Sequence, residues 1–482
     1  MPTVKAPLFS DVFTTVDETE LVDKFAQLVN GYITKNGGYR RRPGLPSVVD
    51  FSTTFSLAQD AIVHGLYWWS QKAIAIAVVD GRIYRLTYIG GVGSASDITG
   101  DALLPNTPVS FATDGNRLIM ANGGRMVHSD GTANTAYVAD TDAPTNVTHV
   151  AYLDGYILAN SLNNNRFYWS NVSDSLNWSA LSFASAAANP DYIKALYVFN
   201  REIFLLGPLT LEIWETSSDS TATFSRIPGG TLEIGCLAPY SIVRNEEGFY
   251  WFDNTRDFTF YNARSNQKVE CPYQKDIQGF STVADCIGAT YSDAGHTFVI
   301  YTFPTANRTF VYNLETEKWF ESGEWDSFSA SYKRWNFNCH AYCADWNLNL
   351  VGGYKNAVVS RIDSTYDYDD YSGSTVNIRD CRRTGHINYG SLKDKISNEL
   401  RLTLRRGDLG GSTPPVLMLR WKDNGRYWSQ IKEISLGNTG EYDIVKRFRR
   451  SGIFRTRQYE ISSTVTVDVI QGEAEEEIEE LR

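Results

Sequence analysis

Residues that could catalyse a reaction or bind a metal are scattered along this chain. The histidines share no HExxH pair; they are His64, His128, His149, His296, His340 and His386. Cys339 and Cys343 flank His340, but a tetrahedral zinc site needs a fourth ligand, which this stretch lacks. No GxSxG, phosphate-binding loop or GxGxxG motif occurs. The residue types therefore predict no catalytic centre, no metal and no cofactor.

An acidic stretch from residue 366 to residue 374 is a second candidate for chemistry. Asp367, Asp369 and Asp370 could ligate Ca²⁺, which prefers oxygen ligands. The order of acidic, Gly and distal Glu residues that defines a calcium loop is absent. We therefore predict a solvated linker at this position.

The elements that would position such residues are β-hairpins. The segment from Ala73 to Tyr88, AIAIAVVDGRIYRLTY, contains two apolar runs joined by Asp80-Gly81. Asp and Gly both tolerate the positive φ angles of a tight hairpin turn. The segment is therefore predicted to form two antiparallel strands.

Hairpins of this kind recur along the chain. The second strand of the unit starts again near Arg117, Tyr156, Glu202, Phe249, Thr297 and Asn347. Counted from the first copy at Ala73, the steps between successive starts are 44, 39, 46, 47, 48 and 50 residues. This spacing is roughly the period of four-stranded propeller blades. One such sheet cannot bury both faces, so the units must stack about an axis. We predict an all-β protein with a β-propeller of about seven blades, six to eight being possible; a run of sandwiches is the structural alternative.

The repeats divide the chain into four predicted parts. Residues 1–56 form an N-terminal arm with a basic loop and a short helix. The helix is predicted because Thr15 and Glu18 have capping-box spacing and one helical face follows with Leu21, Val22, Phe25, Leu28 and Val29. Residues 57–375 form the propeller. Residues 376–471 contain alternating strands and are predicted to form an antiparallel, sandwich-like module. Residues 472–482 form an acidic tail, which should be disordered unless a basic surface on another chain holds it.

Charge is distributed unevenly over these parts. The 482-residue chain has a formal net charge of −11. The segment 380–471 carries +7, the segment 472–482 carries −5, and the first 379 residues therefore carry −13. An acidic body disfavours free nucleic-acid binding, since Lys and Arg supply the affinity for phosphates. The pattern instead predicts complementary contacts between copies or with other proteins.

Three charged segments are the candidate contact sites. They are the N-terminal loop GGYRRRPG, the basic strand containing KRFRR and the acidic tail. The predicted subunit or partner contacts are Arg40, Arg41, Arg42, Lys446, Arg447, Arg449, Arg450, Glu475, Glu476, Glu477, Glu479 and Glu480. Side chains alternate in an extended chain, so Arg40 and Arg42 are the pair expected to meet one acidic surface. A solvated basic loop is the alternative for that segment.

The composition is typical of a protein that folds in a cytosol. No window approaches 18 consecutive apolar residues, and the N-terminus lacks the regions of a secretion signal, so no membrane insertion is expected. The six cysteines are sparse and form no CxxC pair. They are predicted to be free thiols.

Three stretches of the chain resemble one protein family. They are NGYITKNGGYRRRPGLP, FYWSNVSDSLNW, and LRWKDNGRYWS with the later SLGNTGEYDIVKRFRRSGIFRTRQYE. Together they resemble the tail hub or nozzle proteins of short-tailed bacteriophages, also called packaged-DNA stabilisation proteins. The resemblance spans nearly the whole chain and is most specific in the C-terminal stretch. The acidic tail has no counterpart in the family pattern.

This resemblance implies a structural virion protein without catalysis. Proteins similar to this one form a six-fold ring docked below the adaptor ring on the portal, and the ring carries tail fibres or spikes and encloses the DNA exit channel. For this chain it implies a homohexamer in the virion tail, assembled in the host cytoplasm. The implied partners are the portal adaptor, a tail fibre or spike, and a tail needle or plug. DNA would pass without specific binding, and acidic walls would let it slide.

Two other functions are compatible with a propeller. A glycosidase or sialidase would take arginines, a tyrosine and carboxylates from different blades. A carbohydrate-binding protein would stack sugars on exposed aromatic rings such as Trp69, Trp169 and Trp178. Burial of those rings between or within blades is the commoner fate of such residues and is what we expect.

Overall fold

Antiparallel four-stranded sheets follow one another along residues 47–361. The computed structural model describes residues 3–6, 27–35, 39–58, 60–132, 134–189, 191–218, 222–262, 265–355, 357–372, 374–405, 416–436, 443–464 and 471–481. Seven four-stranded units in this part of the chain are arranged as the blades of a propeller; six are separate sheets, and the strands of the remaining unit belong to a nine-stranded sheet. The predicted fold class, an all-β propeller with a further C-terminal β module, is confirmed.

Short elements precede the first blade. The strands are β1 (Thr3–Lys5), β2 (Gln27–Val29), β3 (Gly31–Ile33), β4 (Tyr39–Arg41) and β5 (Ser47–Asp50). The one-turn helix α1 (Phe51–Phe55) follows β5. The Asp50 carboxylate accepts hydrogen bonds from the amides of Ser52 and Thr53 and so caps this helix.

Blades 1 to 4 each consist of four consecutive strands. Blade 1 contains β6 (Val63–Trp69), β7 (Ile74–Val79), β8 (Arg82–Ile89) and β9 (Val92–Asp97). Blade 2 contains β10 (Ser110–Thr113), β11 (Leu118–Ala121), β12 (Val127–Ser129) and β13 (Ala136–Tyr137). Blade 3 contains β14 (Val150–Leu153), β15 (Tyr156–Asn160), β16 (Arg166–Asn171) and β17 (Asp174–Ser185). Blade 4 contains β18 (Ala195–Phe199), β19 (Glu202–Leu206), β20 (Leu211–Thr216) and β21 (Phe224–Leu232).

Blades 5 to 7 continue the pattern, with one hairpin inserted between blades 6 and 7. Blade 5 contains β22 (Val243–Arg244), β23 (Phe249–Phe252), β24 (Phe258–Asn262) and β25 (Ser265–Val269), and helix α2 (Gln274–Gln278) follows it. Blade 6 contains β26 (Ile287–Asp293), β27 (His296–Phe303), β28 (Arg308–Asn313) and β29 (Lys318–Glu321). The inserted hairpin is β30 (Gly323–Asp326) and β31 (Ser331–Arg334). Blade 7 contains β32 (Cys339–Cys343), β33 (Leu348–Gly352) and β34 (Val358–Arg361) together with β5.

The turn between β7 and β8 has the geometry that its sequence predicts. Val79 and Arg82 are paired across the hairpin, and the φ angles of Asp80 and Gly81 are 45° and 82°. A Cβ atom on Gly81 would lie 2.4 Å from the carbonyl oxygen of Leu103. Glycine is therefore required here both for its backbone angle and for the close approach of the next connection.

Apolar clusters between neighbouring blades close the propeller into a ring. Each cluster takes buried side chains from two adjacent blades. The cluster of blades 7 and 1, for example, contains Leu350 and Val359 beside Val63 and Ala77. Because the last blade packs on the first, both faces of every blade are covered and the sheets are arranged about one axis.

Strand β5 completes blade 7 from the opposite end of the chain. It pairs antiparallel with β34, and Val49 lies opposite Val359. The predicted boundary between an N-terminal arm and the propeller at residues 56 and 57 is therefore wrong. The last blade lacks a fourth strand of its own, and the N-terminal segment provides it.

The C-terminal module is a sandwich of two sheets. Its strands are β35 (Tyr368–Asp370), β36 (Thr375–Asn377), β37 (Asp380–Arg383), β38 (Lys395–Arg405), β39 (Val416–Asp423), β40 (Lys432–Ser435), β41 (Asp443–Phe454), β42 (Arg457–Ser463) and β43 (Gln471–Glu480), of which β35 and β36 form a separate hairpin. One sheet has the order β1-β43-β38-β41. The other, β37-β42-β39-β40, is joined through β2 to β29 of blade 6. Leu400, Leu419 and Tyr459 belong to the core between them.

Three predictions about segments outside the blades need correction or lie outside the described residues. The predicted N-terminal helix falls mainly on residues 7–26, which are outside the described residues, and its last residues, Leu28 and Val29, belong to strand β2 instead. The acidic tail is strand β43, held between β38 and β1 of its own chain. The predicted solvated linker contains Asp369, which is 3% exposed and ion-paired.

Candidate interaction surfaces

The three adjacent arginines of the N-terminal loop lie in or directly after strand β4 and contact residues of their own chain. Arg42 is 2% exposed and donates two hydrogen bonds to the Asp369 carboxylate, at 3.0 and 2.6 Å. Arg41 donates to Asp380 at 2.8 Å. Arg40 is paired in register with Tyr32 and remains half-buried. The contact role predicted for Arg42 is therefore wrong, because its charge is compensated inside the chain.

Burial also explains why Arg42 needs this arrangement. A buried guanidinium is stable only if carboxylates and hydrogen-bond acceptors replace its water. Besides Asp369, the side-chain oxygen of Asn30 accepts a hydrogen bond from Arg42 at 2.9 Å, and the ring of Trp335 lies 4.7 Å from its guanidinium carbon. The Arg-Pro-Gly loop thus fastens the N-terminal segment to the region after blade 7.

The basic strand and the acidic tail, predicted as separate contact segments, lie in the same sheet. Strand β38 separates β41, which carries the basic residues, from β43, which carries the glutamates. Arg401 of β38 is opposite Glu475 on one side and Arg447 on the other. Part of the electrostatic complementarity expected between copies is therefore satisfied within one chain.

Positive charge remains in excess at the β41 end of this sheet. Three guanidinium groups share the carboxylate of Glu399, at 3.1 Å from Arg401, 3.6 Å from Arg447 and 3.0 Å from Arg449. The hydrogen bond from Arg449 is the largest cause that lowers the pKa of Glu399. One carboxylate cannot neutralise three cations, even with Glu475 lying 3.7 Å from Arg401.

The side chains of β41 that point away from the sandwich core are exposed. The side chains of Arg447 and Arg449 are 50% and 66% exposed, and Arg450 is also exposed. Lys446 is half-buried. Of the described strands, only β38 pairs with β41, so the other edge of β41 is open. Three of the four predicted contact residues of this strand are therefore accessible.

The glutamates of β43 fall into two sets that follow the alternation of the strand. Glu475, Glu479 and Glu480 are exposed and Glu477 is half-buried. Glu476 is fully buried, with Ala474 and Ile478 on the same face. The contact role predicted for Glu476 is wrong, since it lies in the sandwich.

A buried ion pair holds Glu476 in place. Arg457, which is also fully buried, donates to Glu476 at 3.2 Å and to Asp423 at 2.6 and 3.0 Å. The Tyr459 hydroxyl donates to Glu476 at 2.5 Å, and the Tyr389 hydroxyl donates to its second oxygen. Sequence reasoning missed these partners. The small and apolar residues two positions before and after Glu476 were the available signal that this face of the tail is buried.

A separate acidic groove of ≈ 1150 Å³ lies on the propeller across blades 5, 6 and 7. Five glutamates line it, from the connections of blades 5 and 6: Glu246, Glu247, Glu270, Glu315 and Glu317. The two cations in its wall are Arg244 and Lys268. Lys268 is paired with Asp253 and Asp257, so it neutralises residues outside the groove. The groove consequently has a surplus of negative charge.

Aromatic rings form the floor between these carboxylates. Tyr250 stacks on Phe260 with ring centroids 4.4 Å apart and meets Tyr312 edge to face at 6.5 Å. Burial and the nearby carboxylate of Glu317 raise the pKa of Tyr312 to about 12. Burial likewise raises the pKa of Tyr250, with contributions from Tyr312, Glu247 and Glu317. Sequence reasoning did not find this groove, because its residues come from three blades.

The central opening of the propeller is mostly uncharged. Its walls enclose two adjoining cavities of ≈ 710 and ≈ 380 Å³, lined by the first strands of the blades. Of the described residues that line them, Asp114 and Arg244 carry formal charge apart from histidines. His149 stacks on Tyr240 here, and burial lowers its pKa to about 4. The predicted acidic DNA channel belongs to a ring of several copies and stays a prediction.

The cysteines and histidines considered as chemical groups are buried or half-buried. All six cysteines are free. Burial raises the pKa of Cys339 and Cys343, and it lowers the pKa of His340 to about 4. Within the described ranges, no group of three or more His, Cys, Asp or Glu side chains could hold a metal ion. No helix in that same part of the chain is long and apolar enough to cross a membrane.

Two of the three tryptophans considered for sugar stacking are also buried. Trp69 is fully buried and lies between blades 1 and 2, and Trp178 is 5% exposed and lies between blades 2 and 3. Burial between blades, the fate expected for such rings, is confirmed for these two, and neither is available to stack on a sugar. Trp169 is half-buried and packs edge to face on Phe224.

Comparison with known families identifies the propeller. The profile of the phage-stabilisation family, described as "Bacteriophage P22 Gp10, beta-propeller", matches residues 34–367. The chain belongs to this family. The predicted resemblance to packaged-DNA stabilisation proteins is therefore confirmed, and the chain is a phage structural protein of the virion. The match begins before β4 and ends after blade 7, so it covers the whole ring of blades.

Solved structures with similar folds have low sequence identity to this phage-stabilisation protein. The extracellular domain of the putative one-component system BT4673 from B. thetaiotaomicron is 11% identical, with a TM-score of 0.44, and the match covers 88% of this chain and 60% of that one. YCF48 bound to D1 peptide is 12% identical (TM-score 0.38; 67% and 97% covered). The computationally designed Ika8 protein is 11% identical (TM-score 0.38; 67% and 99% covered). No curated protein sequence matches the chain.

Proposed function

We propose that this protein is a ring-forming subunit of the tail of a short-tailed phage. The ring, a homohexamer, docks on the portal and adaptor, extends the DNA channel and helps to retain the packaged DNA. It also anchors tail fibres or spikes and meets the needle or plug that closes the tail. In this role the chain is a scaffold without catalytic activity, and DNA passes without specific binding.

The observation that carries this proposal is the presence of two unlike charged surfaces on one chain. A cyclic ring is built from heterologous contacts, in which one surface of each copy meets a different surface of the next. The acidic groove on the propeller and the exposed arginines of β41 are two such surfaces. Membership in a phage structural family supports the same role.

The mass of the assembled protein tests the proposal. The full-length chain is purified and its mass is measured alone and after mixing with the portal and adaptor complex. We expect a hexamer. It forms either from the purified chain alone or, if the chain alone does not assemble, after the portal and adaptor complex is added. A chain that stays monomeric with the adaptor present would contradict the proposal, and hydrolysis of glycans by that monomer would favour a propeller glycosidase.

A further inference from the structure

Among the described residues, β41 carries more positive charge than its neighbouring carboxylates balance, and the propeller groove carries more negative charge than its cations balance. Around Glu399, three guanidinium groups share one carboxylate. In the groove, the second cation, Lys268, is already paired with Asp253 and Asp257. Opposite potentials on two surfaces attract each other and orient an encounter.

We propose that the arginine-bearing edge of β41 in one copy docks into the acidic groove on the propeller of the next copy. The inference rests on the proposed ring and names the contact that builds it. Arg447, Arg449 and Arg450 are the residues offered by one copy. Glu247 and Glu317, with the tyrosines between them, are the residues that receive them in the next.

The chemistry of the groove suits arginine in particular. Guanidinium groups stack on aromatic faces and donate to carboxylates at the same time. Tyr250 and Tyr312 provide the aromatic surface, and Glu247 and Glu317 are close enough to raise the pKa values of their hydroxyls. Tyr342 of blade 7 extends the aromatic wall. Arginine side chains entering here would find both kinds of partner.

The shape of β41 suits this docking as well. It is a twelve-residue strand whose outer edge has no partner among the described strands. Charged side chains on an open edge prevent unspecific pairing with other strands. An edge with Arg447 and Arg449 therefore selects an acidic receptor, and the acidic strand β43 of the same chain is already paired with β38 and β1. The groove is an acidic surface on the propeller that can receive it.

Two charge-reversed variants of the full-length chain test this contact. The strand variant carries Arg447→Glu and Arg449→Glu, and the groove variant carries Glu247→Arg and Glu317→Arg. Each variant keeps one normal surface. In an equimolar mixture, the reversed strand of one variant can therefore meet the reversed groove of the other, and the remaining normal strand can meet the remaining normal groove. The measurement is native mass spectrometry across a protein concentration series, with the adaptor present if the wild type requires it.

We expect the wild type to assemble and each variant alone to need a concentration at least about tenfold higher. The equimolar mixture should assemble within about threefold of the wild-type concentration and contain the two variants alternately in equal numbers. As matched controls, Arg82→Glu with Arg201→Glu and Glu215→Arg with Glu233→Arg reverse charges at exposed sites elsewhere and should leave assembly unchanged. Arg447→Gln with Arg449→Gln serves as a milder strand variant if reversal beside the Arg401 and Glu399 pair impairs folding.

Each other outcome overturns the inference. If the wild type assembles and the variants assemble equally well, the proposed ring is supported, but its subunits contact each other through other surfaces. If the variants fail and their mixture also fails, the two surfaces meet different partners, such as another protein of the tail. If the wild type assembles neither alone nor on the adaptor, the ring itself is refuted, and this contact with it.

Discussion

Buried carboxylates in the C-terminal module are compensated by arginines on other strands. Glu476 meets Arg457, and Glu460 meets Arg383 and Arg420 at 2.6 Å each. Removing one member of a buried pair leaves the other without a partner in a medium of low polarity. The stability of the module should therefore depend on these few residues much more than on its exposed charges.

Replacing Glu476 tests this dependence. Glu476→Gln removes the negative charge beside Arg457 and replaces the carboxylate that accepts the hydrogen bond of the Tyr459 hydroxyl, and we expect it to lower the free energy of unfolding by about 3 kcal/mol. Glu475→Gln, at the neighbouring exposed position, is the matched control and should change it by less than about 0.5 kcal/mol. Denaturant unfolding followed by tryptophan fluorescence measures both. Equal effects at the two positions would show that Glu476 is not buried against Arg457.

The response to acid should depend on Glu460. Burial opposes ionisation of this carboxyl, but hydrogen bonds and charges from Arg420 and Arg383 outweigh it and hold its pKa below the ordinary value. A lowered pKa means that the ion pairs stabilise the fold above the unfolded pKa of about 4.3 and that this contribution is lost as the pH falls through the folded pKa. We expect the difference in melting temperature between wild type and Glu460→Gln to be large at neutral pH and to shrink below about pH 4. A difference that stays constant down to pH 3 would contradict this assignment.

The partners of individual charged residues could not be predicted from the sequence. The three adjacent arginines were correctly placed in an extended segment with alternating side chains. Their partners could not be found, because Asp369 is 327 residues away from Arg42. The same reason explains the misplacement of Glu476: a run of glutamates predicts repulsion and disorder, and only the partner strand and Arg457 reverse that expectation.

At the scale of elements, local signals were sufficient for the blades. All seven expected second strands are present, and they begin at or within one residue of the predicted starts, as for β11 and β15. Local patterns give each hairpin because its two strands and turn are contiguous. Local patterns could not predict that β5 pairs with β34, because the two strands lie about 310 residues apart. They also could not predict the pairing of β43 with β38.

Closure of the ring by β5 leads to a prediction for that element. Val49 is 5% exposed and belongs to the core of blades 7 and 1. Val49→Asp would place an unpaired charge there, and we expect it to destabilise the propeller by at least about 3 kcal/mol. Ser47→Asp, in the same strand but half-buried, should cost much less. Thermal unfolding monitored by circular dichroism compares the two variants, and equal melting temperatures would show that β5 does not close the ring.

At the scale of the whole molecule, the chain is a propeller fixed to a sandwich through one continuous sheet. Strand β2 pairs with β29 of blade 6 on one side and with β37 of the module on the other. This shared sheet connects the two parts, so that one chain carries both charged surfaces. That arrangement is what a subunit needs in order to meet a neighbour on each side in a ring.

Counting this protein in purified virions tests whether it forms a hexameric ring in the tail. Quantitative mass spectrometry with isotope-labelled peptides of the chain and of the portal gives the copy number per particle. We expect the protein to be retained in the tail at about six copies per virion, as one hexameric ring. A protein that is absent from washed virions and remains free in the lysate would contradict it.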